Sequence, residues 1–208
     1  MIGLTHVCRG WREIFISWPS LWANLDCSDH EKTRIYLERS KSSPINLTLR
    51  RCKTIASDDP IFQIIPDFTG RLKFVFITTT PANIRAIAPH LSHPAPLLQF
   101  LEVSADKGIH PNDHHPTLTP TLFNGDLSLL HALHLNMVRT ELPWGNMANL
   151  TTFSLRCAKG VAVGPLLDFF DSAPRLREVF LHYTAPSAGA HIQRRQLVSL
   201  TLSSMHTA

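Results

Sequence analysis

The chain has 208 residues, 44% of them hydrophobic and 17% charged, and a formal net charge of +4 at pH 7. This composition is typical of a globular protein with a hydrophobic core and excludes a disordered chain. The basic residues form no long stripe of the kind that neutralises nucleic acid phosphates, and no apolar run is long enough to span a bilayer. We therefore expect no nucleic acid partner, no membrane partner and no secretory signal.

The first predicted element is an amphipathic helix at the N-terminus. Leu4, Val7, Cys8 and Trp11 are apolar and fall at helical spacing. The helix should end before Trp18-Pro19, since a residue that precedes proline disfavours helical backbone. Two interpretations of the four apolar residues are open: they cover the first strand of the following domain, or they contact a partner protein.

An apolar pattern of the form L-x-x-L-x-L recurs from residue 22 onwards. Its last two apolar positions alternate with other residues, as in a strand with one buried face, and its first position closes the turn into that strand. Successive copies begin about 20 to 32 residues apart, close to the roughly 20–29 of leucine-rich repeats. The copies are Trp22-Leu25-Cys27, Pro44-Leu47-Leu49, Leu72-Val75-Ile77, Leu98-Leu101-Val103, Leu130-Leu133-Leu135, Leu150-Phe153-Leu155, Leu176-Val179-Leu181 and Leu197-Leu200-Leu202.

Helices and turns are predicted between these strands. Each predicted helix start combines a capping residue or glycine with a proline or a capping box ahead of an apolar stripe. In chain order the starts are Ser28 with Glu31, Asp58-Asp59-Pro60, Thr80-Pro81, Thr119-Pro120 (a short helix that ends near Gly125) and Gly164-Pro165; Pro143-Trp144-Gly145 predicts a tight connection.

One repeat unit cannot bury its apolar face alone, whereas stacked units can. We therefore predict an α/β fold: a leucine-rich-repeat solenoid in residues 22–208, with parallel strands on its concave face and helices on its convex face. Residues 1–21 form a short helical segment ahead of it. The alternative is an ordinary α/β domain whose strands are rich in leucine.

The concave face is the surface through which solenoids usually bind partners. Phe74, Phe76 and Phe100 form an aromatic cluster there, and exposed aromatic residues often anchor interfaces. The alternative is that residues 104–117 fold over these rings as a loop. The candidate partner-binding residues are Phe74, Phe76, Phe100, Glu102, His134, Arg156, Phe180 and His182.

The run Leu4-Thr5-His6-Val7-Cys8-Arg9-Gly10-Trp11-Arg12, followed by Trp18-Pro19-Ser20-Leu21-Trp22, resembles the second half of an F-box. The continuation through Leu25-Asp26 to Tyr36-Leu37-Glu38-Arg39-Ser40 resembles the F-box proteins of mushroom-forming fungi (basidiomycetes), in which an F-box is followed by leucine-rich repeats. The resemblance extends over the whole chain and is more degenerate in the repeats. It departs from the family at the start, since the first F-box helix, of the Leu-Pro-x-Glu-Leu-Leu type, has no counterpart here.

The resemblance implies a substrate receptor of a Skp–cullin–F-box ubiquitin ligase in the cytoplasm or nucleus. It assigns adaptor binding to Leu4, Val7, Cys8 and Trp11, and binding of a protein target to the concave face. Such a receptor is not itself an enzyme. Because the first F-box helix is missing from the pattern, the alternative is a leucine-rich-repeat binding protein, or a truncated paralogue, with no ligase role.

No catalytic, metal-binding or cofactor-binding signature is present, so we expect no enzymatic activity, no metal and no cofactor. Of the twelve histidines, His110, His114 and His115 lie together, but in a stretch that predicts a solvated loop rather than a rigid metal site. The cysteines are far apart without a CxxC pair, which favours buried thiols over disulfides or zinc; they are Cys8, Cys27, Cys52 and Cys157.

Overall fold

The computed structural model describes residues 8–51, 55, 59–106, 115–118, 122–140, 145–156, 159–182, 185–187 and 199–203. Several residues named from the sequence lie outside these ranges, so the predictions made for them remain predictions. They are Leu4, Val7, Cys52, Asp58, His110, His114, Thr119, Pro120, Pro143, Trp144, Cys157 and Leu197.

The fold is α/β and is built on one eight-stranded sheet in the order β1-β2-β3-β4-β6-β8-β10-β12, in which every pairing is parallel. Each strand of this sheet pairs with the sheet strands next to it along the chain. The eight strands are β1 (Asn24–Asp26), β2 (Ile45–Arg51), β3 (Leu72–Thr79), β4 (Phe100–Ala105), β6 (Ala132–Asn136), β8 (Thr152–Arg156), β10 (Glu178–His182) and β12 (Ser199–Ser203).

Two further parallel pairs, each of two short strands, follow the ends of the main strands. One joins β5 (Thr117–Leu118) to β7 (Arg139–Thr140), and the other joins β9 (Lys159–Ala162) to β11 (Ala185–Ser187). The parallel direction of the main sheet is therefore repeated in the segments that leave it.

The same backbone turn precedes five of the sheet strands. The N–H of the first apolar residue of a triplet donates to the carbonyl three residues earlier, which confirms that this position closes the turn. The residue that provides the carbonyl is also buried in each copy, a position that the triplet pattern does not include. The donor–acceptor pairs are Leu72–Thr69, Leu98–Ala95, Leu130–Leu127, Leu150–Met147 and Leu176–Ala173, the last four at 3.0 Å.

The core lies between the inward side of the sheet and the helices. From β3 to β8 every triplet residue, Leu72 to Leu155, is at most 2% exposed, which confirms the predicted inward orientation. Phe153 on β8 packs against Phe169 of the following helix, with ring centroids 4.8 Å apart. One triplet was assigned wrongly: Pro44 is exposed, and Ile45 is buried and pairs with Leu72.

The described residues contain five α-helices, which lie between or ahead of the strands: α1 (Arg9–Ser17), α2 (His30–Ser40), α3 (Ile61–Phe68), α4 (Pro81–Ile87) and α5 (Val163–Ser172). The predicted start of α4 is confirmed, because the Thr80 side chain caps the helix through the Asn83 N–H and Pro81 is its first residue. Short 3-10 helices occupy Pro19–Trp22, Thr69–Arg71 and Ala88–Leu91.

Two predicted caps are wrong. Asp29, not Ser28, caps α2 and accepts a hydrogen bond from the Lys32 N–H at 3.1 Å. The Ser28 N–H is instead bound by the Asp26 carboxylate, which holds the turn after β1. At α3 the N-cap position is occupied by Pro60, which has no side chain that could accept a hydrogen bond.

The segment before β6 is a left-handed turn rather than the end of a predicted helix. Phe123, Asn124 and Gly125 have φ values of 52°, 53° and 69°. Phe123 is fully buried, so the apolar side chain is anchored in the core at the expense of a strained backbone. The predicted short helix through Leu122 and Phe123 is therefore wrong, because the backbone there is not helical. The predicted burial of the two side chains is confirmed.

Candidate functional site

The outward side of the eight-stranded sheet, which we call the open face, carries the residues predicted to bind a partner. Register aligns its side chains in three rows across the strands. The first row is Asn46, Phe74, Phe100, Ala132, Thr152 and Glu178; the second is Thr48, Phe76, Glu102, His134, Ser154 and Phe180; the third is Arg50, Thr78, Ser104, Asn136, Arg156 and His182. All eight candidate residues lie in these rows.

The predicted aromatic cluster on the open face is present and extends to a histidine. The Phe76 and Phe100 rings are tilted against each other with centroids 4.8 Å apart. The Phe100 ring meets His134 edge-on at 5.0 Å, a contact that the sequence pattern did not indicate. The ring of Phe74 lies under the Lys73 ammonium, 5.2 Å from its centroid. All four rings remain partly exposed.

Burial against these neighbours lowers the pKa of His134 below its usual 6.5, because desolvation disfavours the charged imidazolium. Glu102 beside it raises that pKa, and Arg156 on the other side lowers it. The open face is therefore electrostatically mixed around His134. Further along β10, the rings of Phe180 and His182 are nearly parallel with centroids 6.3 Å apart.

Polar side chains on the open face are joined across neighbouring strands. Asn136 donates to the Ser104 hydroxyl at 3.0 Å, and Thr152 donates to Glu178 at 3.2 Å. Ser104 and Ser154 are 9% and 6% exposed although they point outward, because they are small and have larger neighbours on both sides. These cross-strand bonds hold the polar part of the face in one arrangement.

A second candidate surface is the apolar side of α1. The helix has no buried residue, and Trp11, Ile14 and Trp18 are each more than half exposed. The Trp22 indole N–H binds the Phe15 carbonyl at 2.7 Å and links this helix to the sheet domain. Trp18 and Ile14 were not among the candidate residues, although the motif that contains Trp18 was recognised.

Two of the four residues for which a cap or a partner contact was predicted, Cys8 and Trp11, lie in the described part of the N-terminal segment. A cap over the first strand requires buried side chains, whereas Cys8 and Trp11 are exposed. Trp22 and Tyr36 are buried beside β1 instead, with their rings edge-on at 5.1 Å. The prediction of a buried thiol is consequently wrong for Cys8 and confirmed for Cys27.

Within the described ranges no group of three histidine, cysteine, aspartate or glutamate side chains could hold a metal ion. His115 is buried and its Nδ1 lies 3.1 Å from the Met137 carbonyl. No helix in the described part of the chain is both long and apolar enough to cross a membrane. Residues 107–114, the centre of the loop proposed to cover the aromatic cluster, are not described.

Comparison with models of known protein families, with curated proteins and with solved structures found no match to this chain.

Proposed function

We propose that this chain is a leucine-rich-repeat solenoid of the F-box type, a non-enzymatic receptor that presents protein targets to a Skp–cullin–F-box ubiquitin ligase. The observation that carries the repeat part is the sheet: its eight strands pair in parallel and in chain order, and five are entered through one recurring turn. Stacking of like units produces such a sheet, because each unit adds one strand to its end.

The F-box part of the proposal is supported by α1 and the segment that follows it. Tryptophan rings in water gain stability when a partner covers them, and exposed aromatic residues often dominate interfaces. Trp11 and Trp18 belong to the segment that resembles an F-box and are 52% and 58% exposed. In this proposal α1 binds the Skp adaptor, the open face binds the target, and the protein acts in the cytoplasm or nucleus.

Co-purification with a fungal Skp adaptor tests the ligase role. We expect the chain to bind the adaptor, and more tightly when a Leu-Pro-x-Glu-Leu-Leu helix is fused ahead of residue 1. Substituting both Trp11 and Trp18 with Ser should lower the affinity at least tenfold. The matched control is Leu97→Ser with Leu129→Ser, which removes exposed apolar side chains elsewhere on the surface. Absence of binding by both the chain and the fusion would contradict the ligase role.

A repeat-protein scaffold without a ligase role is the second candidate, and one observation favours it. Because α1 buries no side chain, the open face is formed without any contribution from this helix. In this candidate the open face binds its target without an adaptor. Binding of a protein target by a chain that never binds the adaptor would support this candidate over the first.

A further inference from the structure

The first strand of the main sheet, β1, has one edge with no partner strand among the described residues. On its other edge the Asn46 N–H of β2 donates to the Ala23 carbonyl at 2.9 Å. The backbone polar groups of successive strand residues point alternately to the two sides of the strand. The N–H and C=O groups of Asn24 and Asp26 therefore point away from β2, toward the free edge.

The backbone groups at this edge keep their hydrogen-bonding capacity. No described residue bonds to the backbone N–H of Asn24 or Asp26. The Thr33 hydroxyl lies 3.1 Å from the Asp26 carbonyl and 2.6 Å from the Asp29 carbonyl. Because a hydroxyl has a single hydrogen, it is donated over the shorter distance, and the Asp26 carbonyl can still accept. An edge of this kind is a template for a further strand.

A cavity of about 250 Å³ lies beside this edge, between β1 and α2. Leu21 and Tyr36 provide apolar walls, and no lining residue comes from β2. Cavities that bind small molecules usually have volumes of about 300–1,000 Å³, so this smaller one is better suited to a single side chain. The lining residues are Leu21, Asn24, Asp26, Lys32, Thr33 and Tyr36.

We propose that an extended segment of a partner protein adds to the free edge of β1 as a parallel strand, and that one apolar side chain of this segment fills the cavity. In parallel register the residue opposite Leu25 donates its N–H to the Asn24 carbonyl and accepts from the Asp26 N–H. Leu25 is buried and points toward the core, so the side chain opposite it points to the same side of the sheet, where α2 and the cavity lie. In complexes of this kind the main-chain bonds provide affinity and the side-chain pocket provides specificity.

The charges at the edge determine which residue follows the apolar one in the added segment. Asp26 is exposed and forms no ion pair with a described residue. The next residue of the segment lies directly across from this carboxylate, and opposite charges in cross-strand pairs stabilise a sheet. The Lys32 ammonium, on the α2 side, lies 5.8 Å from the centroid of the Tyr36 ring and opposes a cation inside the cavity. The segment therefore carries a lysine or arginine directly after the apolar residue.

Selection from a random twelve-residue peptide library displayed on phage, with the full chain immobilised, tests this site. We expect enrichment of peptides in which a large apolar residue is followed directly by lysine or arginine. A selected peptide is then synthesised with one N-methyl group, which removes one N–H donor. Methylation of the apolar residue should weaken binding at least tenfold. Methylation of the basic residue after it, whose N–H points away from β1, should change binding by less than about threefold.

The variant Asp26→Pro tests the protein side of the same contact. Proline removes the Asp26 N–H, which makes no bond to β2, and proline is tolerated in edge strands. We expect peptide binding to be at least tenfold weaker. The matched control, Asp26→Asn, keeps the backbone N–H and a side-chain oxygen that can accept from the Ser28 N–H. It should bind within about fivefold and lose only the preference for a basic residue.

Three results would each overturn the inference: no enrichment of the apolar–basic pair, equal effects of the two N-methyl groups, or full binding by a folded Asp26→Pro variant. If that variant does not fold, hydrogen exchange of the unsubstituted chain decides where the peptide binds. A bound peptide should slow exchange in β1, and slower exchange only in other strands, or in none, would overturn the inference. The site includes none of the residues proposed to bind the adaptor or the target, so the outcome of the adaptor experiment does not bear on it.

Discussion

His134 is a base placed where its charged form is disfavoured. It is partly buried on β6, with the Phe100 ring against its edge and Arg156 on the neighbouring strand. Burial and the Arg156 charge lower its pKa, and Glu102 only partly opposes them. The folded protein therefore holds a neutral imidazole at a pH at which the unfolded chain would begin to protonate it.

The sign of the resulting pH dependence follows from this order of pKa values. Because the folded pKa lies below the unfolded value of about 6.5, the unfolded state binds the proton first as the pH falls. The contribution of His134 to stability is complete above pH 6.5 and decreases as the pH falls through the folded pKa.

We therefore expect His134→Phe, which keeps a ring at this position, to lose less stability on acidification than the unsubstituted chain. Urea denaturation at pH 8, 7, 6 and 5 measures the difference between the two unfolding free energies. That difference should shift in favour of the variant below pH 6.5 and stay constant above about pH 7. A constant difference over the whole range would show that His134 is not desolvated.

At the scale of an element, the turns between strands contain backbone that only particular residues tolerate. Gly145 has a φ of 102°, and a Cβ built on it would lie 2.5 Å from the Gly125 carbonyl oxygen. Gly125 itself closes the left-handed turn before β6. The two glycines thus allow the chain segments ahead of β6 and β8 to approach each other, and Asp126 and Asn146 form a parallel bridge there.

We expect Gly145→Ala to destabilise the protein by about 2 kcal/mol or more, because both the positive φ and the backbone contact oppose a Cβ. Gly70 is the matched control, since a Cβ there meets nothing within 4 Å and its φ is not positive. Gly70→Ala should change the unfolding free energy by less than about 1 kcal/mol. Thermal and urea denaturation of both variants checks the comparison, and equal losses would contradict it.

The helix caps show how far local sequence signals reach. Thr80-Pro81 predicted the start of α4 correctly, because the threonine hydroxyl and the proline act within the first turn. The signals failed at α2, where two adjacent residues could each act as the cap. Ser28 and Asp29 could each cap α2, but the Asp26 carboxylate binds the Ser28 N–H, and Asp29 becomes the cap.

Hydrogen bonds between segments far apart in the chain could not be predicted, for a different reason. Asn83 is fully buried; its side chain donates to Thr79 at 2.8 Å and accepts from the Ile55 N–H at 2.7 Å, 28 residues earlier in the chain. The sequence pattern identifies which side chains face the core, since alternation within a strand is local. It does not identify which polar side chain joins one segment to another.

At the scale of the whole molecule, the sheet is a linear array. Each strand pairs with the sheet strands next to it along the chain. A strand in the middle, such as β6, therefore pairs with one strand from each half of the sheet. In the repeat solenoid that we propose, stability is approximately a sum of the stability of each unit and of the contacts between neighbours. A destabilising substitution in an end strand should therefore affect only the strands beside it. A destabilising substitution in a middle strand should affect the strands on both sides of it.

Leu25→Ala in β1 and Leu133→Ala in β6 test this arrangement, because the two leucines are 1% and 0% exposed and lose the same atoms. Each substitution should cost roughly 2–5 kcal/mol in its own part of the sheet. Hydrogen exchange followed by mass spectrometry should show lost protection in β1 and β2 alone for Leu25→Ala, and in β4, β6 and β8 for Leu133→Ala. Uniform loss across all strands in both variants would instead indicate a single cooperative unit, because opening would then expose every strand at once.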